Sequence, residues 1–319
     1  MKNACGFVGL GGVFAAGLGI ALAVGASPAS AQLACGGTVG PTGAFELDQD
    51  LVCDDTTDPA LQIVGPVVVD LRGHSISADP DAAPNVGVLV EGEGAVLRNG
   101  TIEGFGFQPG SSYGDGVVVA GTGRHLLKRL RVRNNADAGI EVREGSEHNR
   151  LAHNTLSRNG DEGINIRENV ADTEIAHNKA IGNGEEGFVD GGIRSTYVRN
   201  HATGSVKVGF QIFSSAADTQ LLNNVSVRNN EEGFLLGGTG ALVKGNVALL
   251  NGEDGIQANS ASNGTTITRN VARRNGNGET TFDLTDTGNP PCTVTQWSRN
   301  IFRTSNDPCI EGGAFAFLN

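Results

Sequence analysis

One short phrase returns four times along the chain: RNGDEGI at 158–164, GNGEEGF at 182–188, RNNEEGF at 228–234 and LNGEDGI at 250–256. A fixed internal period constrains the fold more than any other feature, because each unit must be too small to bury its own apolar face and is completed by its neighbours. The glycines that precede an apolar residue, Gly116, Gly139, Gly163, Gly187, Gly209, Gly233 and Gly255, advance in steps of 22 to 24 residues. An independent series of asparagines, Asn154, Asn178, Asn200, Asn224, Asn246 and Asn270, keeps the same phase. In most units a second asparagine follows five residues later, at Asn159, Asn183, Asn229, Asn251 and Asn275.

Within a unit, short alternating pieces such as GIEV, TLSRN and GINI are separated by Asn, Gly, Asp and Glu, and no stretch carries an unbroken helical stripe. Three short strands per unit, turned at residues that tolerate left-handed backbone angles, form one coil of a parallel β-solenoid. Stacking places each residue over its equivalent about 4.8 Å away, so a repeated asparagine is expected to become a ladder of side-chain amides. The phrase then has a structural meaning: Asn starts a turn, the acids lie on its solvated outside, Gly supplies an unusual angle or a close approach, and Ile or Phe enters the core. A leucine-rich repeat shares this period but requires LxxLxLxx[NC]xL, which these leucine-poor units lack. The calcium-binding GGxGxDxUx nonapeptide is also missing.

These positions resemble the right-handed parallel β-helix repeat proteins, the group that includes pectate-lyase-like solenoids and NosD-type periplasmic proteins. DLRGHSI at 70–76 resembles the DLNGHTI opening coil of secreted bacterial members, and the two cysteine-bounded ends, 35–53 and 292–309, look like those members as well. The resemblance covers about residues 35–310 and implies an all-β right-handed parallel β-helix of about ten coils. It says little about activity, because this fold hosts lyases, hydrolases, epimerases and binding modules.

The ends complete the organisation. Lys2, an acid-free apolar run to about Val24 and the Ala29-Ser30-Ala31 signal read as an export leader over 1–31. The expected division is a cap at 32–65, coils at 66–278 and a second cap at 279–319, all one domain. A net charge of −12, or −13 once Lys2 leaves with the leader, disfavours nucleic acid and anionic membranes as partners. After loss of Cys5 four cysteines remain, Cys35, Cys53, Cys292 and Cys309, and an even count in an exported chain suggests disulfides. Three connectivities are open, of which the two close pairs are the expected ones. The secreted or periplasmic setting follows from the same signals. The expected chain has no integral membrane span after leader removal, and its oligomeric state is open.

Candidate chemistry is sparse. Residues two and four positions beyond each marker glycine should face outward on one sheet, and only one place on that face is charged: Glu141, Arg143 and Arg167, with Asn165 among them. An acid beside stacked arginines could hold a uronate carboxylate, or form only a cross-strand ion-pair ladder. The acid pairs Asp161/Glu162, Glu185/Glu186, Glu231/Glu232 and Glu253/Asp254 stack along an edge, a set of oxygens suited to Ca²⁺. Asp161, Glu162, Glu185 and Glu186 are the Ca²⁺ candidates, and no other cofactor is expected. His153 and His177 sit one coil apart in a column that continues with Arg199, which reads as surface rather than as a metal site. The NTD…DD…RIK series of polygalacturonases and the DPHD of mannuronan epimerases are absent, and Phe213 is the one aromatic on the outward face. The sequence therefore points to a secreted protein that binds or modifies carbohydrate, with a lyase, epimerase or glycoside hydrolase as the enzymes of choice. The alternative is a non-catalytic structural or adhesive solenoid whose acid stripe binds Ca²⁺ or only water. A loop at 104–114 lengthens one step and could frame a groove.

Overall fold

The computed structural model describes residues 33–106, 114–276, 278–288 and 290–310; the span 1–31 expected to be a leader and the segment 107–113 lie outside them. Alternation of buried and outward residues in three-residue strands, interrupted by turns at a constant spacing, leaves the chain one way to pair its backbone. Each strand lies parallel on the equivalent strand of the next coil. One sheet contains eleven such strands, from Gly37–Val39 to Leu284–Asp286. Its central register runs Ile140↔Ile164↔Phe188↔Phe210↔Phe234↔Ile256, the large apolar position of the repeat. A second ladder runs from Ala44–Glu46 to Gln296–Ser298 and a third from Leu51–Cys53 to Val271–Arg273. Two eight-residue strands, Val96–Glu103 and Leu126–Arg133, pass through both ladders and join them. The result is an all-β right-handed parallel β-helix of about ten coils.

The core is a set of columns along the axis. Ile164, Phe234 and Ile256 are fully buried, and the rings of Phe188, Phe210 and Phe234 stack with centroids 4.7 and 4.8 Å apart. Tyr197 is buried beside them and donates its hydroxyl to the Val189 carbonyl at 3.1 Å. The asparagines form a continuous buried ladder. Asn178 accepts the Asn154 N–H at 2.9 Å, donates Nδ2 to the Leu151 carbonyl at 2.8 Å and to Asn200 Oδ1 at 3.1 Å, and the pattern repeats up to Asn300.

Coil strands begin earlier and end later than the 66–278 span. Gly37–Val39, Ala44–Glu46 and Leu51–Cys53 already stack in register on the next coil, and Leu284–Asp286 and Gln296–Ser298 continue the stack at the other end. Disulfides Cys35–Cys53 and Cys292–Cys309 close the two ends. The left-handed backbone angles fall on the residue before each asparagine, as at His153, Arg158 and Arg228, with φ of 59°, 55° and 55°, and not on the asparagine. The side-chain amide must point inward to bridge coils, so the preceding residue makes the bend. The marker glycines serve close approach rather than angle. A Cβ on Gly163 would lie 2.5 Å from the Gly187 carbonyl oxygen and 2.9 Å from Asn183 Nδ2. Among the described residues no helix is long and apolar enough to cross a membrane.

Candidate functional site

Strands Ile140–Val142 and Ile164–Ile166 pair in register with Glu141 over Asn165, and the alternation that buries Ile140 and Val142 in the core turns Glu141 outward. Outward is not exposed, however. Glu141 is only 6% exposed and Asn165 3%. Arg143, two residues on, bends back so that Nε meets Glu141 Oε1 at 2.7 Å. Arg167, one coil away, donates Nε and Nη2 to Oε2 at 3.0 and 2.7 Å. The two guanidinium side chains remain 45% and 54% exposed. Glu141 thus sits beneath two arginines and orients both, which strand alternation alone cannot foretell because the cover comes from neighbouring side chains.

A shallow depression of about 440 Å³ lies over this network. Arg143, Glu144, Asn165, Arg167, Glu168 and Phe213 line it. Phe213 is 44% exposed. Glu144 is engaged by Asn169 at 3.0 Å. The four residues singled out by sequence are therefore together: three line the depression, and Glu141, outside that lining, is bonded to two of them.

Asp115 was not among them, and its signal was present. It directly precedes Gly116 as Glu162 precedes Gly163, but the preceding insertion obscures the match. Asp115 is 1% exposed, its Oδ2 lies 3.5 Å from Arg143 Nη2, and its Oδ1 has no hydrogen-bond partner. Burial, reinforced by the Glu141 charge and only partly offset by Arg143, pushes its carboxyl up to about 7.

The acidic edge differs from the solvated stripe expected. The second acid is enclosed in three of the four pairs: Glu186, Glu232 and Asp254 are buried, and Glu162 is half-buried. This position lies two residues before the chain enters the sheet, and Ala138 and Val208 in the same column are the sequence sign of an interior position. Burial pushes Glu186 and Glu232 up to about 7 and raises Glu162. Asp137 is held well above the ordinary carboxylate range by burial and by its hydrogen bond to Asp161.

Carboxylate oxygens of Asp137, Asp161 and Glu162 all lie within 4.8 Å of one another, as do those of Glu162, Glu185 and Glu186. Both sets fit the hard oxygen donors that Ca²⁺ takes. In the second set Lys207 Nζ already stands 2.5 Å from Glu185 Oε1, so the first set is the better fit. His153 and His177 stack ring on ring at 4.9 Å on the surface and join neither group. The loop expected to frame a groove lies largely in 107–113, outside the described residues.

The solved structures that share this architecture include the periplasmic alginate epimerase AlgG, at 15% identity and a TM-score of 0.60, with 84% of this chain covering 76% of that one. Another is the enzymatically active domain of tailspike protein 2 of bacteriophage CBA120, at 12% identity and a TM-score of 0.50, with coverage of 84% and 39%. At such identities the likeness is one of fold. No curated protein matches the sequence. Residues 69–226 match the family described as the right-handed beta helix region, and with coils stacked continuously on both sides of that span the described residues share the right-handed parallel β-helix fold.

Proposed function

We propose that the protein works outside the cytoplasm as a glycan-binding solenoid, holding a polysaccharide in the depression over Glu141. The observation that carries this reading is the convergence of two oriented guanidinium groups, a side-chain amide and an exposed phenyl ring in one shallow hollow. Planar donors fixed by a buried carboxylate suit sugar hydroxyls and uronate carboxylates, and an exposed aromatic face packs against the apolar side of a sugar ring. Two end disulfides accord with an oxidising compartment. The fold neighbours named as an alginate epimerase and a phage tailspike enzyme support a polysaccharide as the ligand class.

Binding is favoured over catalysis. Both oxygens of Glu141 are engaged by arginines and Asp115 is buried, so neither is free to exchange a proton with a ligand in the depression. The test is binding of the protein to a panel of neutral and uronate-containing polysaccharides, repeated with Arg143→Ala plus Arg167→Ala. Binding to one glycan class that the double variant loses supports the site. Binding unaffected by the double variant, or no binding, rejects it. A lyase and epimerase assay on any glycan bound checks the preference for binding over chemistry. The second reading, a structural solenoid steadied by Ca²⁺, is favoured by the clustered carboxylates of Asp137, Asp161 and Glu162, and is tested by stability with and without that ion.

A further inference from the structure

At the bend between the second and third ladders, the residue before each ladder asparagine, or before Leu130 at the equivalent place one coil earlier, projects from the turn. Over four successive coils that residue is Arg129, His153, His177 and Arg199, all exposed. Two positions on, the outward residue that opens the third-ladder strand is Arg131, Thr155, Lys179 and His201, stacked in register. Seven of eight places in this two-by-four grid are thus Arg, Lys or His, and none is acidic. The columns continue as Asn99 and Thr101 on one side and Asn223 and Val225 on the other, so the run in which both columns are basic spans these four coils, although Arg269 and Arg299 recur further along the first column.

In a chain with 35 acids against 23 Lys and Arg, cations are expected to find partners, and two at the borders do. Arg133 pairs with Glu103 at 2.7 Å and Arg150 with Glu174 at 3.4 Å. Among the described residues Arg129, Arg131, Lys179 and Arg199 stand in no ion pair. The grid opens at one end into a hollow of about 340 Å³ lined by Arg129, Arg131, His153 and Thr155. Gly73 also lines it, and a Cβ there would meet nothing within 4 Å.

We propose that this face is a second binding surface, which takes a linear carboxylate-bearing polysaccharide laid along the solenoid axis. Rows of cationic groups repeat at the strand spacing of about 4.8 Å, a ruler for a polymer that carries one carboxylate on each sugar. Nucleic acid fits less well: its phosphates are denser, the whole molecule is strongly acidic, and the grid holds no Phe, Tyr or Trp on which bases stack. The surface lies on a different side of the coil from the Glu141 depression and does not depend on it.

The experiment measures binding of the full protein to polygalacturonate, fully methyl-esterified pectin and duplex DNA at low and at physiological salt. Arg129→Asn and Arg199→Asn keep a residue suited to the left-handed angle; combined with Arg131→Gln and Lys179→Gln they remove four charges. Thr155→Glu instead places a carboxylate in the centre of an unaltered grid. Polygalacturonate should bind in a salt-sensitive manner and esterified pectin should not. The fourfold variant and Thr155→Glu should each weaken polygalacturonate at least about tenfold, the scale of several lost ionic contacts, while Arg143→Ala plus Arg167→Ala retains this salt-sensitive component. Parental affinity in Thr155→Glu or in the fourfold variant overturns the proposal. So does tighter binding of DNA than of polygalacturonate, or no salt-sensitive binding at all.

Discussion

At Gly163 the room for a side chain is taken by the next coil, whose Gly187 carbonyl oxygen would lie 2.5 Å from an added Cβ. That oxygen belongs to the ladder and cannot retreat without breaking strand pairing. Gly163→Ala should therefore destabilise the protein by about 1–3 kcal/mol, the range for overpacking a closed interior; a melting temperature equal to the parent's would show that the coils yield more easily than their register implies. Phe213 presents the opposite case, an exposed ring on the wall of the depression. Phe213→Ala should leave the melting temperature nearly unchanged and weaken glycan binding about tenfold, the upper end of what a stacking ring contributes, as read by titration calorimetry. Alternation along the strands suffices to place Glu141 and Asn165 on the outward face beside Arg143 and Arg167. It cannot reveal that the arginines fold back over Glu141, nor that Asp115 completes the network, because those contacts depend on rotamers and on a neighbour 26 residues away for Glu141 and 28 for Asp115.

Among the elements, the asparagine ladders do what helices and hairpins do elsewhere, satisfying backbone groups at a bend. Each amide accepts from one coil and donates to another, so deletion leaves buried groups unpaired on both sides. Asn200→Ala would strip partners from the Asn178 N–H and the Ile175 carbonyl and should cost about 1–3 kcal/mol, seen as a lowered denaturation midpoint. The second ladder supplies a converse test. Between Asn183 and Asn229 it is interrupted by Ser205, whose hydroxyl is buried without a partner. Gly187 correspondingly lacks the asparagine amide that neighbours Gly163 and Gly209. Ser205→Asn should restore the rung and stabilise the fold by about 1 kcal/mol; a loss of stability would mean the site is too tight for an amide. The coil period, the inward Ile and Phe and the asparagine positions were all legible, because identical stacking repeats each signal several times. The coil ends were less legible, since the first and last coils have longer steps, as in Ile256↔Leu284, and lack the repeated phrase.

For the whole molecule, the acidic edge couples stability to pH. Asp115, Glu186 and Glu232 have carboxyls raised to about 7, and burial also raises Glu162 and Asp254. A carboxyl that holds its proton more tightly folded than unfolded favours the fold while protonated. Its contribution declines once pH exceeds the unfolded value of about 4 and continues to fall until the folded value near 7 is passed. The melting temperature should therefore fall between about pH 5 and pH 8, opposite to a protein steadied by paired carboxylates. A flat profile would mean that water reaches these groups and relieves their burial. The same repulsion predicts the effect of a cation: at about pH 8 Ca²⁺ should raise the melting temperature, and a chelator should reverse the rise. Asp137→Asn should abolish that response if the ion sits among Asp137, Asp161 and Glu162, because the site would lose one of its three clustered carboxylates. It should also raise the stability without Ca²⁺, since one fewer buried charge remains to be opposed. A variant in which the Ca²⁺ response persists would place the ion elsewhere on the edge, and the gain without Ca²⁺ would then measure the repulsion alone.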